Sequence, residues 1–237
     1  MIFADIHIHA LYGSDDGARG AMDMQNIIDA AYRDGARYLC LTPHFHPGYY
    51  GENRETSEKA FSELSRYVES KYSDLHLAIG NELYYAQGGE RWLQEGECRT
   101  LNGTNYVLVD FPLDVSKKTV LDAIGRLLNL GYRPILAHME RYRSLSRDTA
   151  FVLACKQSGA LIQMDSMSIL GDFGFAAKRF AASLLSKQLV DFVASDAHDI
   201  HKRPPSMKRA YETIVKKYGV AYANAICCEN AKNMFFG

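Results

Sequence analysis

Seven short apolar runs, separated by segments of helical period, constrain the fold of this chain more than any other feature. Several runs are apolar almost throughout, which is typical of strands in a parallel sheet covered on both faces. The runs lie at 2–8, 37–42, 75–80, 106–111, 133–138, 160–165 and 190–195. The alternation of strands and helices predicts an α/β fold. Periodicity alone leaves both a closed barrel and an open doubly wound sheet.

The composition excludes several classes of protein. The 237 residues contain no internal repeat or low-complexity linker, so we predict one domain over 1–237. The net charge of -1 provides no global field for nucleic acid or an anionic membrane. The chain shows neither an apolar run of about 18 residues, as a membrane span needs, nor a signal-peptide pattern. The five cysteines include no CxxC pair, which indicates reduced thiols in a cytoplasmic protein.

Imidazoles and carboxylates collect at the ends of the predicted strands. His7 and His9 close the first run, and their spacing of two places them on one side of a strand. Carboxyl ends of parallel strands meet on one face, where ligands bind. We therefore expect one site that also contains Asp15 or Asp16 from the first loop. The other strand-end residues are His44, Glu82, Asp110, His138, Asp196 and His198.

This set of side chains predicts a metal cluster. Mixed imidazole and carboxylate ligands without thiolate suit Mn²⁺, Fe²⁺, Zn²⁺ or Mg²⁺, and the set exceeds the needs of one ion. We predict two or three ions, with a carboxylate such as Glu82 bridging. Each motif alone is weak, since a lone HxH is commonly an ordinary polar pair and Ser195-Asp196 could be a helix cap. His46 and His201 are candidates for either substrate contact or support of the ligands.

Two arginines follow predicted ligands closely. Arg141 comes three residues after His138, and Arg203 comes five residues after His198. A guanidinium presents a planar fork to phosphate oxygens, although a surface salt bridge would also explain either residue. Together with the metal cluster, the arginines favour phosphoester hydrolysis.

The motifs resemble those of the polymerase-and-histidinol-phosphatase (PHP) superfamily. The motifs are HIH with DDG downstream, TPHFH, GNE, AHMERY and SDAH followed by Arg. The fuller resemblance is to the bacterial tyrosine-phosphatase branch tied to capsular and extracellular polysaccharide synthesis. It extends along nearly the whole chain and includes DDGA, TPHFHPGYY, the SILGDFG segment and SDAHD with RPPSM.

The resemblance implies a distorted seven-stranded (β/α) TIM-like barrel with a trinuclear metal centre, most often activated by manganese. The implied phosphate-binding residues are Arg141 and Arg203, and Asp16 is preferred to Asp15 because it directly precedes Gly17. The implied ligands are His7, His9, Asp16, His44, Glu82, Asp110, His138, Asp196 and His198. The chain departs from the branch at three positions. They are Asp110, where Glu is usual, Met139, where Pro is usual, and Asp165, where Asn is common.

The implied reaction is hydrolysis of phosphotyrosine by hydroxide activated at the metals. None of the five cysteines belongs to a cysteine-phosphatase loop, and His46 and His201 are the candidate proton donors. The implied substrate is the tyrosine-rich tail of a bacterial tyrosine kinase acting in polysaccharide export. The resemblance also favours a homo-oligomer. The alternatives are histidinol-phosphate phosphatase, a metal-dependent amidohydrolase, a non-catalytic metal-binding module and a nuclease, although no strongly basic tract supports the last.

Overall fold

Nine parallel strands form the framework of the part of the chain that the structure describes. The computed structural model describes residues 1–50, 54–86, 88–145 and 147–237. All seven predicted strands are present, together with two short strands, β3 and β5, that the sequence did not predict. The strands are β1 Phe3–Ile8, β2 Ala36–Leu41, β3 His44–Phe45, β4 His76–Ile79, β5 Glu82–Tyr84, β6 Tyr106–Asp110, β7 Arg133–Leu136, β8 Leu161–Asp165 and β9 Phe192–Ala194.

The strands form two sheets rather than the single seven-stranded sheet that was expected. One sheet has the order β1-β2-β4 and the other β3-β5-β6-β7-β8-β9. β3 follows β2 after only Thr42 and Pro43, and β5 follows β4 after Gly80 and Asn81. Pro43 has no N–H to donate, and the Asn81 amide donates to the Pro43 carbonyl at 3.0 Å. The backbone hydrogen bonding between the strands is therefore interrupted at Pro43 and Asn81.

The first and last strands meet through their ends. Ile8 bridges Ala197, just beyond β9, in parallel register. The His9 N–H donates to the Ala197 carbonyl at 2.9 Å, and the Asp196 N–H donates to the His7 carbonyl at 2.9 Å. The HxH motif and the SDAH motif are thus joined by backbone hydrogen bonds.

Helices connect the strands, and their apolar stripes cover the sheets. In the first helix the predicted stripe of Met24, Ile27, Ile28 and Ala31 is buried, and Gly35 ends the helix with φ 113°. The α-helices are α1 Ala21–Asp34, α2 Arg54–Lys71, α3 Arg91–Gln94, α4 Lys117–Asn129, α5 Thr149–Gln157, α6 Ser166–Leu170, α7 Phe175–Ser186, α8 Met207–Tyr218, α9 Val220–Asn224 and α10 Asn230–Phe235. A π-helical turn, Ala225–Glu229, joins the last two. None of the described helices combines the length and apolar character that crossing a membrane requires.

Both faces of the larger sheet are buried, as the apolar runs predicted. In β6, Val107 and Val109 pack in the largest apolar cluster, together with stripes from α4, α7 and α8. Leu108, between them, packs in a different cluster with Ile6 of β1 and Ile135 of β7. That second cluster joins the two sheets, so the carboxyl ends of their strands are held in fixed relation to each other.

Candidate metal centre

The first two histidines converge on one point, as their spacing predicted. The Nε2 atoms of His7 and His9 lie 3.0 Å apart, and Asp196 Oδ1 lies 3.3 Å from each. Both imidazoles are fully buried. Three ligand-type atoms from the two ends of the chain therefore share a space of about one ion.

Glu82 lies at the centre of the cluster. Its Oε1 is 2.9 Å from His138 Nε2 and 3.3 Å from His7 Nε2. Its Oε2 is 2.6 Å from His44 Nδ1, but the approach is misdirected for a hydrogen bond, and this buried oxygen has no hydrogen-bond partner among the described residues. One carboxylate thus faces imidazoles on both of its oxygens, the arrangement expected of a bridging ligand.

Two further carboxylates extend the cluster in opposite directions. Asp110 Oδ1 lies 3.7 Å from His138 Nε2. Asp16 Oδ1 lies 3.4 Å from His44 Nε2 and 3.6 Å from His198 Nε2. The structure therefore brings all nine predicted ligands together. Each belongs to at least one group of three whose ligand atoms lie within 4.8 Å of one another.

The donor set fits divalent metal ions. Imidazole nitrogens point at each other and at carboxylate oxygens, and the buried Glu82 Oε2 has no hydrogen bond of good geometry to any described residue. Metal-ligating carboxylates and imidazoles without thiolate are typical of Zn²⁺, Mn²⁺ and Fe²⁺ sites. The residues present can hold more than one such ion.

The pKa shifts within the cluster show that its carboxylates strongly favour positive charge beside them. Burial alone would lower the pKa of His7, but Glu82 and Asp196 outweigh burial and raise it to about 10. Burial would likewise lower the pKa of His44, yet Glu82 and Asp16 raise it to about 12. Burial would raise the pKa of Glu82, but His7 and His44 bring it well below its usual range. Glu82 therefore stays ionised, and positive charge beside it must balance it.

The adjacent residues Asp15 and Asp16 occupy different positions in the site, which the sequence alone did not distinguish fully. Asp15 is nearly buried. Its Oδ2 lies 2.6 Å from His9 Nδ1 and accepts the His44 backbone N–H at 2.9 Å. Asp16 is half exposed and faces the imidazoles from the open side. A Cβ at Gly17 would come within 2.0 Å of the His9 carbonyl oxygen. The DDG motif therefore places one aspartate behind the imidazole ring, one in front of it and a glycine against its backbone.

Gln163 supports the cluster and was missed by sequence reasoning. Its Oε1 lies 3.2 Å from His7 Nδ1 and accepts the His138 N–H at 3.0 Å. A partner on the second ring nitrogen fixes the ring orientation of a ligating histidine. The available signal was a glutamine within the apolar run 160–165, a residue type rarely buried without a partner.

The two arginines border the cluster through one carboxylate. Arg141 Nη1 donates to Asp196 Oδ2 at 2.8 Å and to Asp165 Oδ2 at 3.2 Å. Arg203 also donates to Asp196 Oδ2. The ring of Phe173 lies against both, with its centroid 4.6 Å from Arg141 Cζ and 6.0 Å from Arg203 Cζ. Both guanidiniums are thereby held beside the imidazoles and remain partly exposed.

The two candidate proton donors lie at the rim. His46 stacks on Tyr84, with ring centroids 3.9 Å apart, and burial next to His44 lowers its pKa. His201 is exposed and lines a cavity that also contains His198 and Arg19. Neither belongs to the groups that could hold an ion.

The mouth itself is a cavity of about 250 Å³ at the carboxyl ends of the strands. Two residues beside it have left-handed backbone, His138 with φ 33° and Asp196 with φ 52°. Such conformations cost free energy in residues other than glycine and cluster at functional sites. Its walls include His44, Tyr84, Asp110, Leu113, Arg141 and Arg203.

Comparisons with known proteins agree with the motifs and the geometry. Residues 3–236 match the model of a family described as capsular polysaccharide synthesis, CpsB/CapC. The chain belongs to the CpsB/CapC family. It is 33% identical over 235 residues to the tyrosine-protein phosphatase CpsB of Streptococcus agalactiae serotype III, covering 97% of each chain.

Solved structures extend the comparison. One chain from work on YwqE of Bacillus subtilis and CpsB of Streptococcus pneumoniae, described as metal-dependent tyrosine phosphatases, superposes with a TM-score of 0.86. It is 31% identical, over 94% of this chain and 90% of that one. A histidinol phosphate phosphatase from Lactococcus lactis matches with a TM-score of 0.57 and 14% identity, over 92% of this chain and 95% of that one. The second likeness concerns the fold alone. The resemblance inferred from the motifs is confirmed.

Proposed function

We propose that this protein is a metal-dependent phosphatase that hydrolyses phosphotyrosine on proteins. The observation that carries the proposal is the buried cluster of five imidazoles and four carboxylates with two arginines at its edge, in a member of the CpsB/CapC family. The names of the relatives support tyrosine phosphate as the substrate.

The metal ligands in this proposal are the nine clustered side chains, with Glu82 as the bridge. Bound divalent ions would supply Lewis-acid charge and lower the pKa of water. We propose two or three ions, with manganese as the activating metal. Asp110 is one methylene shorter than the glutamate usual in the branch, so its ion should be bound less tightly than the others.

Arg141 and Arg203 bind the phosphate oxygens and stabilise the charge that spreads over them during the reaction. Asp196 holds both guanidiniums through one oxygen, so the arginines approach the substrate from a fixed direction. His46 and His201 are the groups proposed to donate a proton to the leaving tyrosine. A phenolate, with a pKa of about 10, needs little acid assistance.

The proposed substrate is the tyrosine-rich tail of a bacterial tyrosine kinase of polysaccharide export. The open mouth, with a cavity on either side of it, supports a peptide rather than an enclosed small molecule. We further propose a cytoplasmic location and assembly into a homo-oligomer, both from the family resemblance.

We also propose that residues 1–237 act as one metallophosphatase domain with a distorted seven-stranded barrel. In this interpretation β2 with β3, and β4 with β5, each count as one interrupted strand. The register supports it, because β2 pairs with β4 and β3 pairs with β5 in the same parallel sense. The bridge between Ile8 and Ala197 would close the ring.

The decisive experiment removes and restores the metal. The protein is stripped with chelator and supplied with Mn²⁺, and phosphate release is measured from a phosphotyrosine peptide and from histidinol phosphate. Metal-dependent release from the peptide is expected. Release mainly from histidinol phosphate would assign the chain to the biosynthetic reaction, and no release from either would contradict phosphatase function.

A further inference from the structure

A second cavity opens directly beside the mouth. It has a volume of about 350 Å³ and shares Leu113 and Arg141 with the mouth cavity. Its other walls are the charged side chains of Glu140 and Arg143 and the apolar side chains of Phe173, Ala176 and Ala177, the last two from the first turn of α7. Because Arg141 lines both spaces, a molecule whose phosphate reaches Arg141 from the mouth can extend its ester substituent into this cavity.

One side of this cavity is apolar and continues into exposed apolar surface. Phe175 is 76% exposed and Leu113 is 43% exposed, although both are large apolar side chains. Phe173 is half buried and lays its ring against the guanidiniums of Arg141 and Arg203. Exposed apolar surface next to a charged site commonly marks ligand contact, and an aromatic ring held by two arginines is a rigid wall for another ring.

We propose that this cavity binds the phenyl ring of phosphotyrosine and that Phe173 determines specificity for aryl over alkyl phosphates. The inference rests on the proposed phosphatase function. An arginine at one end and apolar walls at the other match a phosphate joined to a benzene ring. A phosphoserine carries no ring to fill the space.

Two phosphonates test the ring site without any chemical step. Phenylphosphonate and methylphosphonate carry the same anionic group, and neither contains an ester to hydrolyse. Their dissociation constants are measured by calorimetry on the full chain with Mn²⁺. The intact protein should bind phenylphosphonate roughly tenfold more tightly, the discrimination expected of a modest apolar pocket. Equal affinities, or no binding of either compound, would overturn the proposal.

Ala177→Leu fills the cavity from α7 without removing the contact between Phe173 and the arginines. We expect it to weaken phenylphosphonate binding about tenfold and to leave methylphosphonate unchanged. Ala182→Leu is the matched control, because Ala182 lies on the same helix but does not line the cavity. An equal loss for both phosphonates would mean that the substitution disturbs the phosphate site, and the ring assignment would be wrong.

Phe173→Ala gives the second readout. The ratio of the two dissociation constants should fall towards one, while methylphosphonate binding changes by less than phenylphosphonate binding. If both weaken equally, Phe173 acts only by supporting the arginines.

A phosphotyrosine peptide separates the remaining outcomes. If Ala177→Leu weakens peptide binding but not phenylphosphonate binding, the cavity holds a neighbouring side chain, and the proposal fails. If the intact protein hydrolyses the peptide normally yet binds both phosphonates equally, only the ring site fails. Absence of metal-dependent hydrolysis would instead contradict the proposed function.

Discussion

Two clusters of ionisable side chains in this molecule are built on opposite principles. Outside the strands, Asp29 of α1 accepts hydrogen bonds from Tyr67 at 2.9 Å, Tyr72 at 2.7 Å and Lys71 at 2.6 Å. Every contact there joins a donor to an acceptor. In the candidate metal centre, by contrast, His7 and His9 direct ring nitrogens at each other across 3.0 Å.

The difference separates stability from function. The Asp29 cluster is complete as it stands, so it contributes to the packing of α1 against α2. The candidate metal centre concentrates hydrogen-bond acceptors and negative charge. This arrangement costs free energy unless bound cations offset it. Substitutions should therefore affect activity in the mouth and stability in the Asp29 cluster, and the following predictions test that separation in order of expected effect.

Glu82→Gln should reduce phosphatase activity by roughly 10³-fold or more, because a neutral amide cannot bridge cations. Metal content, measured by plasma emission after dialysis, should fall with it. The far-ultraviolet circular dichroism and cooperative unfolding should persist, since the amide occupies the same volume. A variant that loses its fold together with its activity would contradict the separation.

Arg141→Ala should lower kcat/KM for a phosphotyrosine peptide by about 10²- to 10³-fold, the usual effect of removing one charged stabilising group. Its metal content should stay at the level of the intact protein. Arg179→Ala, an exposed arginine on α7, is the matched control and should change neither quantity. Unchanged turnover in Arg141→Ala would remove this residue from the reaction.

Gln163→Met should weaken metal binding by about 10- to 100-fold, as loss of a partner behind a ligating histidine typically does. The substitution keeps the side-chain length but removes the acceptor of the His138 N–H and the contact to His7. Competition with a fluorescent chelator measures the affinity. Activity at saturating metal should largely recover, and a loss that added metal cannot restore would indicate a different role.

Asp29→Asn should lower the free energy of unfolding by about 1 kcal/mol, because the hydrogen bonds to a charged acceptor become weaker in a partly exposed setting. Activity should be unchanged. Asp74→Asn, in the more exposed pair with Tyr32 and Arg37, is the control and should cost less.

The same variant has a defined pH dependence. Burial opposes ionisation of Asp29, but Lys71 and two hydroxyl donors lower its pKa below the ordinary 3.8. A lowered pKa means that the stabilisation is complete above the ordinary value and is lost as the pH falls through the folded value. Urea unfolding should show the two proteins converging below about pH 4. A constant difference down to the acid transition would contradict the linkage.

The sequence predicted the strands and the site residues well. It did not predict where the strands are interrupted or which residues support the site. Strand runs and polar strand ends are local patterns, so they can be read directly. The interruption at Pro43 and Asn81 depends on a hydrogen bond between different strands, which no local pattern contains. Gln163 contacts His7 across 156 residues of sequence, and Phe173 contacts Arg141 from beyond α5, β8 and α6. Their partners become apparent only once the chain has folded.

The backbone seam between the first and last strands has a consequence for how the protein is made. Asp5 accepts the Ser195 N–H from 190 residues away along the chain, and the same seam positions His7 beside Asp196. Contacts of such sequence separation form late in folding. A growing chain on the ribosome therefore lacks a competent site until its final strand has emerged, and any product truncated before Asp196 lacks two of the nine predicted ligands, Asp196 and His198.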